Sequence, residues 1–139
     1  MLVDAKGLVA GRLASNVAKA AINNEDVVIV NASEAIIVGN KEFTLSKYLQ
    51  KRDVGVKSNP YFGPKFDRIP SKMLRRMVKG MLPNKQRTKE SIIKKVMIYN
   101  DCPKEFVGKE FTTLDKVKFN EKHNFITIGE LAKLLGGKW

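Results

Sequence analysis

One cysteine, Cys102, and one histidine, His123, stand in a chain of 139 residues, so an intrachain disulfide and a Cys/His zinc cluster are both excluded. The scarcity of cysteine suits a reducing, intracellular compartment. No apolar run approaches the ~18 residues of a membrane span. Met1-Leu2-Val3-Asp4-Ala5-Lys6 lacks the long apolar core of a signal peptide, and a cytoplasmic protein is expected. Acidic residues are scattered, with neither paired-carboxylate nor metal-ligand spacing, which leaves acid/base and metal catalysis without candidates. Acidic residues are also scarce in one stretch. Between Lys41 and Lys95, sixteen Lys and Arg stand against four Asp and Glu, an excess of twelve that equals the net charge of +12 of the whole chain. The other 84 residues hold ten of each sign. A surplus confined in this way describes a molecule with one cationic side, for which a polyanion, nucleic acid first, is the fitting partner.

The length suits one domain, and a chain of this size buries roughly two-thirds of its unfolded surface. Leu13, Ala14, Val17, Ala18 and Ala21 fall at helical spacing, and their small side chains suit close packing on a sheet. Val27-Val28-Ile29-Val30 and Ile36-Ile37-Val38 are continuous β-branched runs, as expected of strands covered on both faces. A second helix carries Leu45, Tyr48 and Leu49, with Asn40 as its N-cap. Periodicity then vanishes from Val54 to Ile69, where Gly55, Pro60, Gly63 and Pro64 predict a long loop. Having no periodic apolar contacts, this loop is expected to be mobile in the free protein.

Pro70 starts a helix that divides Met73, Leu74, Met77, Val78 and Met81 from Lys72, Arg75, Arg76 and Lys79, and Pro83 ends it. Residues 88–96 read as helical and Val96 to Tyr99 as a strand. Weak alternation marks Val117 to Phe119 and Phe125 to Ile128. Thr127 with Glu130 forms a capping box ahead of Leu131, Leu134 and Leu135, and Gly136-Gly137 closes that helix. The alternation of elements predicts a small layered α/β domain spanning 1–139, with a largely parallel sheet and a basic loop-helix insertion within 41–95.

The amphipathic helix after Pro70 is the most specific of these objects. Its cationic face fits phosphates, with an ordinary solvated face, an anionic membrane or a protein partner as alternatives; the membrane reading lacks interfacial Trp or Phe. In the loop before it, Lys57, Lys65 and Arg68 interleave with Tyr61, Phe62 and Phe66, a mixture suited to RNA phosphates and unpaired bases, or to aromatics that merely anchor the loop. Arg75 and Arg76 can each grip two phosphate oxygens, while Lys85, Arg87, Lys89, Lys94 and Lys95 add longer-range charge. Gly7-Leu8-Val9-Ala10-Gly11-Arg12 invites a phosphate-loop reading, but its glycines are one residue too close and no Lys-Ser/Thr pair follows. A tight turn accounts for those glycines, and the amides beside Arg12 are able to hold one RNA phosphate. Nothing local marks Cys102 and His123 as a nucleophile and base.

Val3-Asp4-Ala5, Gly11-Arg12-Leu13-Ala14-Ser15, Val28-Ile29-Val30-Asn31-Ala32 and Gly39-Asn40-Lys41 closely resemble the N-terminal blocks of the universal large-subunit ribosomal protein thirteen family. Val78-Lys79-Gly80-Met81-Leu82-Pro83, followed by Val96-Met97-Ile98-Tyr99, resembles that family's signature, and Asn59-Pro60-Tyr61-Phe62-Gly63-Pro64 with Ile69-Pro70-Ser71 is similar to its archaeal and eukaryotic branch. Asn84-Lys85-Gln86-Arg87-Thr88 departs from the bacterial pattern, and the short tail favours an archaeal-type member. The resemblance implies a three-layer α/β/α fold with a small, largely parallel sheet, and a non-enzymatic structural component of the large ribosomal subunit in the cytoplasm. Its implied partners are large-subunit rRNA and neighbouring ribosomal proteins, with no cofactor, metal, membrane or small-molecule substrate. Arg12, Lys41 and Lys79, which sit in family motifs, become candidates for rRNA contact, while Gly80 to Pro83 also fits a conformational role at a helix end. Two readings of other classes stay open on the residues alone: an α/β enzyme for a phosphorylated or nucleotide substrate near Gly11 and Arg12, and a DNA- or messenger-RNA-binding regulator.

Overall fold

The computed structural model of the chain describes all residues except 56, 60, 115, 116 and 120–122, and the side chains of 86–88. In chain order the elements are β1 (Leu2–Asp4), α1 (Ala10–Ile22), β2 (Val27–Val30), a 3-10 turn (Ala32–Glu34), β3 (Ile36–Val38), α2 (Lys41–Asp53), α3 (Pro70–Gly80), α4 (Gln86–Lys94), β4 (Val96–Ile98), a second 3-10 turn (Lys104–Phe106), β5 (Phe125–Thr127) and α5 (Ile128–Leu134). β2 is the centre of a parallel three-stranded sheet, with Val28 opposite both Leu2 and Met97. The helices and this small, mainly parallel sheet make the α/β fold expected of the alternating pattern.

Each boundary has a local cause. Asn24 closes α1 in the left-handed region at φ 69°, where its short amide tolerates a conformation most side chains avoid. The Glu25 and Asn24 amides then satisfy the Ala20 and Ala21 carbonyls at the helix end. The Asn40 side chain accepts from the Glu42 amide at 3.1 Å and caps α2. Thr127 Oγ1 does the same for Glu130 at the start of α5. Gly136 at φ 78°, with Gly137 donating to Ala132, ends α5. Asn31, also left-handed, donates from its side chain to Asp4 at 2.9 Å and ties the ends of β1 and β2 together.

Leu13, Ala14, Val17, Ala18 and Ala21 of α1 are all buried, and the helix packs closely on α3. Val3, Val27, Ile29 and Val96 join them from one face of the sheet. A leucine or valine buried in this way contributes roughly 1.5–3 kcal/mol.

Three expectations need correction. β3 is not a buried strand along its whole length: it pairs antiparallel with β5 as a separate ribbon, and its burial falls from Ile36, which is buried, to Val38, which lies on the same face and is 43% exposed. Met81 does not extend the apolar stripe, because α3 stops at Gly80 and Leu82 turns inward in its place. The basic stretch is not an insertion standing apart from the scaffold, since α3 and α4 supply Met73, Leu74, Val78, Ile92 and Ile93 to the core. β1 carries no strand signal strong enough to be read from three residues; its pairing with β2 comes from tertiary context.

Candidate nucleic-acid interface

α3 divides its residues between core and solvent within three turns. Met73, Leu74 and Val78 are buried, Lys72, Arg76 and Lys79 are exposed, and Arg75 is half-buried. The helix has no side-chain cap of its own from Ile69, but Asn100 at the end of β4 accepts from the Ser71 amide at 2.9 Å. That bond satisfies one of the donors a helix start leaves free, and it fixes the direction of α3 against the sheet. Lys72 and Lys79 are therefore held outward by the packing of the opposite face.

The two arginines differ from the lysines. Arg75 donates through Nη2 to the Ile93 carbonyl at 3.1 Å, bringing a positive group to the last turn of α4, where helix carbonyls are unsatisfied. Arg76 turns back onto the loop. Its Nη1 donates to the Lys65 carbonyl at 2.8 Å, and its guanidinium lies 3.9 Å from the centre of the Phe66 ring. Lys51 of α2 approaches the same ring at 6.0 Å and Tyr48 at 5.3 Å. A cavity of about 170 Å³ lies among Tyr48, Lys51, Phe66, Met73, Arg76 and Met77. Burial pushes the Tyr48 hydroxyl above its ordinary pKa, and the Arg76 charge pulls it partly back.

Beyond this clamp the loop projects its side chains. Tyr61 is 77% and Phe62 65% exposed, their rings meeting edge to face at 6.4 Å. Lys65 Nζ sits 4.6 Å from the Tyr61 ring, and Lys57 is exposed. Asn59 holds the turn, accepting the Tyr61 amide on its side chain and the Phe62 amide on its carbonyl, both at 3.1 Å. Gly63, at φ 142°, crosses back over residues 54 and 55, so near that a methyl group would stand 3.2 Å from the Val54 oxygen. At its other end the backbone of Arg68, whose side chain is exposed, lies against Gly137.

The remaining predicted residues divide between two regions. Lys85, exposed, and Lys89, half-buried, lie at the start of α4 beyond α3. Arg87 is in the same helix, but its side chain falls outside the described residues. Arg12 and Lys41 belong elsewhere, at the starts of α1 and α2. Arg12 is exposed beside Val9, Val38, Phe119 and His123, around a concavity of about 460 Å³. Lys41 is engaged with Glu130 at 3.0 Å. His123, which no sequence motif marks, borders both residues' surfaces. The aromatic pair Phe119 and Phe125, with centroids 4.8 Å apart, adjoins it. Gly7 accounts for the glycine-rich turn, with φ 68°, whereas a methyl at Gly11 would meet open space. The Cys102 thiol makes a 3.7 Å contact with the Pro103 carbonyl, and no group of metal-ligating side chains occurs among the described residues. Nor is any described helix long and apolar enough to cross a membrane.

A small basic α/β protein whose core orients a cationic helix face and an aromatic loop belongs to the class of compact proteins that present charge from a fixed scaffold. The class narrows to a family on comparison with known proteins: residues 1–105 match the family described as Ribosomal protein L13. The protein named large ribosomal subunit protein uL13 in Methanocaldococcus jannaschii is 40% identical over 142 residues, covering 99% of this chain and 98% of its own. Its namesake in Methanococcoides burtonii is 37% identical over 140 residues, covering 99% of each. That of Archaeoglobus fulgidus is 33% identical over 138 residues, 97% of this chain and 86% of its own. The chain belongs to the ribosomal protein L13 family, as its sequence blocks lead one to expect, and this is a family of ribosomal structural proteins, not of enzymes.

Proposed function

We propose that this protein is a structural constituent of the large ribosomal subunit, located in the cytoplasm, that binds and organises large-subunit rRNA through its loop-helix surface. The whole of 1–139 acts as one unit, with 41–95 turned toward RNA and other faces toward neighbouring ribosomal proteins. The observation that carries this reading is α3: Lys72 and Lys79 are exposed on a helix whose opposite side is buried in the core. Cations fixed by a rigid element cost little ordering on binding and neutralise phosphates wherever RNA segments converge. Arg12 and Lys41 add a second point of phosphate contact at the starts of α1 and α2. For Lys41 this means exchanging Glu130 for a phosphate, a modest cost for an exposed ion pair.

Titration of the purified chain with large-subunit rRNA across a salt series tests this. Affinity is expected to fall with a log-log slope of about −0.7 to −0.9 per phosphate contact. Because both lysines are exposed, K72E/K79E is expected to weaken binding roughly 10- to 100-fold with little change in thermal stability. A slope near zero, or wild-type affinity in the double variant, contradicts the reading.

A further inference from the structure

Arg76 reads from sequence as a phosphate contact, but its surroundings assign it a different task. The planar guanidinium is already used twice inside the molecule, stacked 3.9 Å over Phe66 and donating to the Lys65 carbonyl at 2.8 Å. Phe66 is half-buried between α2 and α3, with Lys51 also near its ring. Tyr48 and Met77 close the same small cavity from the two helices. Immediately before Phe66 the chain carries Tyr61, Phe62 and Lys65, and the two rings are among the most exposed large side chains described. The aromatic that is held and the aromatics that are displayed are therefore different residues of one loop.

We propose that Arg76 and Phe66 are positioning residues: their stack, locked by the Arg76 to Lys65 hydrogen bond, holds residues 61–66 in the free protein so that Tyr61, Phe62 and Lys65 meet RNA already ordered. The ligand of the held segment is an unpaired stretch of RNA, whose bases stack on exposed rings while its phosphates meet the adjoining lysines. This rests on the rRNA-binding reading above, and it replaces the expectation of a mobile free loop for these residues. Periodic apolar contacts are absent from the loop, but a guanidinium stacked on a ring and bonded to a backbone carbonyl supplies an anchor of another kind. A lysine keeps the charge of Arg76 yet loses both the planar stack and the forked donor.

Two variants, R76K and F66L, separate holding from phosphate contact. In the free protein the Tyr61 and Phe62 amides are expected to be protected from hydrogen exchange in the wild type and to lose that protection in both variants. In titrations with a single-stranded large-subunit rRNA fragment, each variant is expected to bind roughly tenfold more weakly, the cost of ordering the loop on binding. The double variant should be little weaker than either alone, because the two residues act as one unit. Wild-type affinity in both R76K and F66L overturns the proposal, as does a silent F66L alongside an R76A that loses one phosphate contact's worth of salt slope. Unprotected amides in the wild type overturn it as well. If R76K proves unfolded by circular dichroism, F66L alone decides. Failure of the wild type to bind RNA counts against the rRNA reading, while the exchange measurement still judges the clamp.

Discussion

Helix α3 holds Lys72 and Lys79 by its own backbone hydrogen bonds and by burial of Met73, Leu74 and Val78, whereas the loop before it holds Tyr61, Phe62 and Lys65 through contacts made almost wholly by polar and aromatic groups. In the helix, 3.6-residue periodicity decides both what is buried and where charge emerges. In the loop no periodicity exists, so each displayed residue depends on a particular anchor: Asn59 within the turn, Arg76 on Phe66, and Gly137 beneath Arg68. Positive charge is thus positioned with a redundant mechanism in one region and a specific one in the other. Removing an anchor should therefore unsettle the loop locally, while removing a core residue should cost global stability.

The largest effect is expected at Leu74, which is fully buried between α3 and the core. L74A removes a large side chain from a packed site and should cost about 2–5 kcal/mol in urea denaturation. A loss of less than about 1 kcal/mol would mean that α3 is an appendage and not a core helix, which removes the distinction between the two regions.

This division also explains what is legible from sequence. α1, α2, α3 and α5 follow from apolar spacing and caps, because Leu13 to Ala21, Asn40, Pro70 and the Thr127 and Glu130 pair act within a few residues of themselves. The outward face of α3 follows from the same rule. Arg76 was legible as a cation but not as a clamp, since its partners Lys65 and Phe66 lie about three helical turns back in a segment with no regular geometry. The pairing of β3 with β5 joins residues almost ninety positions apart, and continuous β-branched runs do not say which partner a strand takes. The neighbourhood of Arg12 and His123 has the same origin, for sequence spacing carries no trace of it.

An intermediate effect is expected where the loop meets the carboxyl end of the chain. A methyl at Gly137 would collide with the Arg68 carbonyl oxygen and stand 2.9 Å from the Ala132 oxygen. Backbone oxygens cannot swing aside as side chains do, so G137A should cost about 1–3 kcal/mol, in the range of overpacked interiors. Hydrogen exchange should speed up around residues 68–69 and 132–137, with α1 unaffected. Unchanged stability with unchanged exchange would show that the end of the loop is not pinned there, leaving Arg76 as its main anchor.

The smallest effect tests whether the loop covers Tyr48. Burial raises the pKa of this phenol in the folded protein, against the opposing pull of Arg76, so the folded state keeps its proton to higher pH than the unfolded chain does. The resulting contribution to stability is complete below the unfolded value of about 10 and is lost as pH rises through the higher folded value. Y48F removes this titration while keeping the ring, and the lysine titrations common to both proteins cancel in the comparison. Across the alkaline window beginning near pH 10, the wild type should therefore lose more stability than Y48F. Combining Y48F with F66L sharpens the contrast between helix and loop: if releasing Phe66 opens the cavity to water, F66L should show almost the same alkaline loss with or without the Tyr48 hydroxyl. Equal alkaline slopes for wild type and Y48F would instead mean that water already reaches the phenol, and that the clamp of Arg76 on Phe66 holds the loop without sealing it.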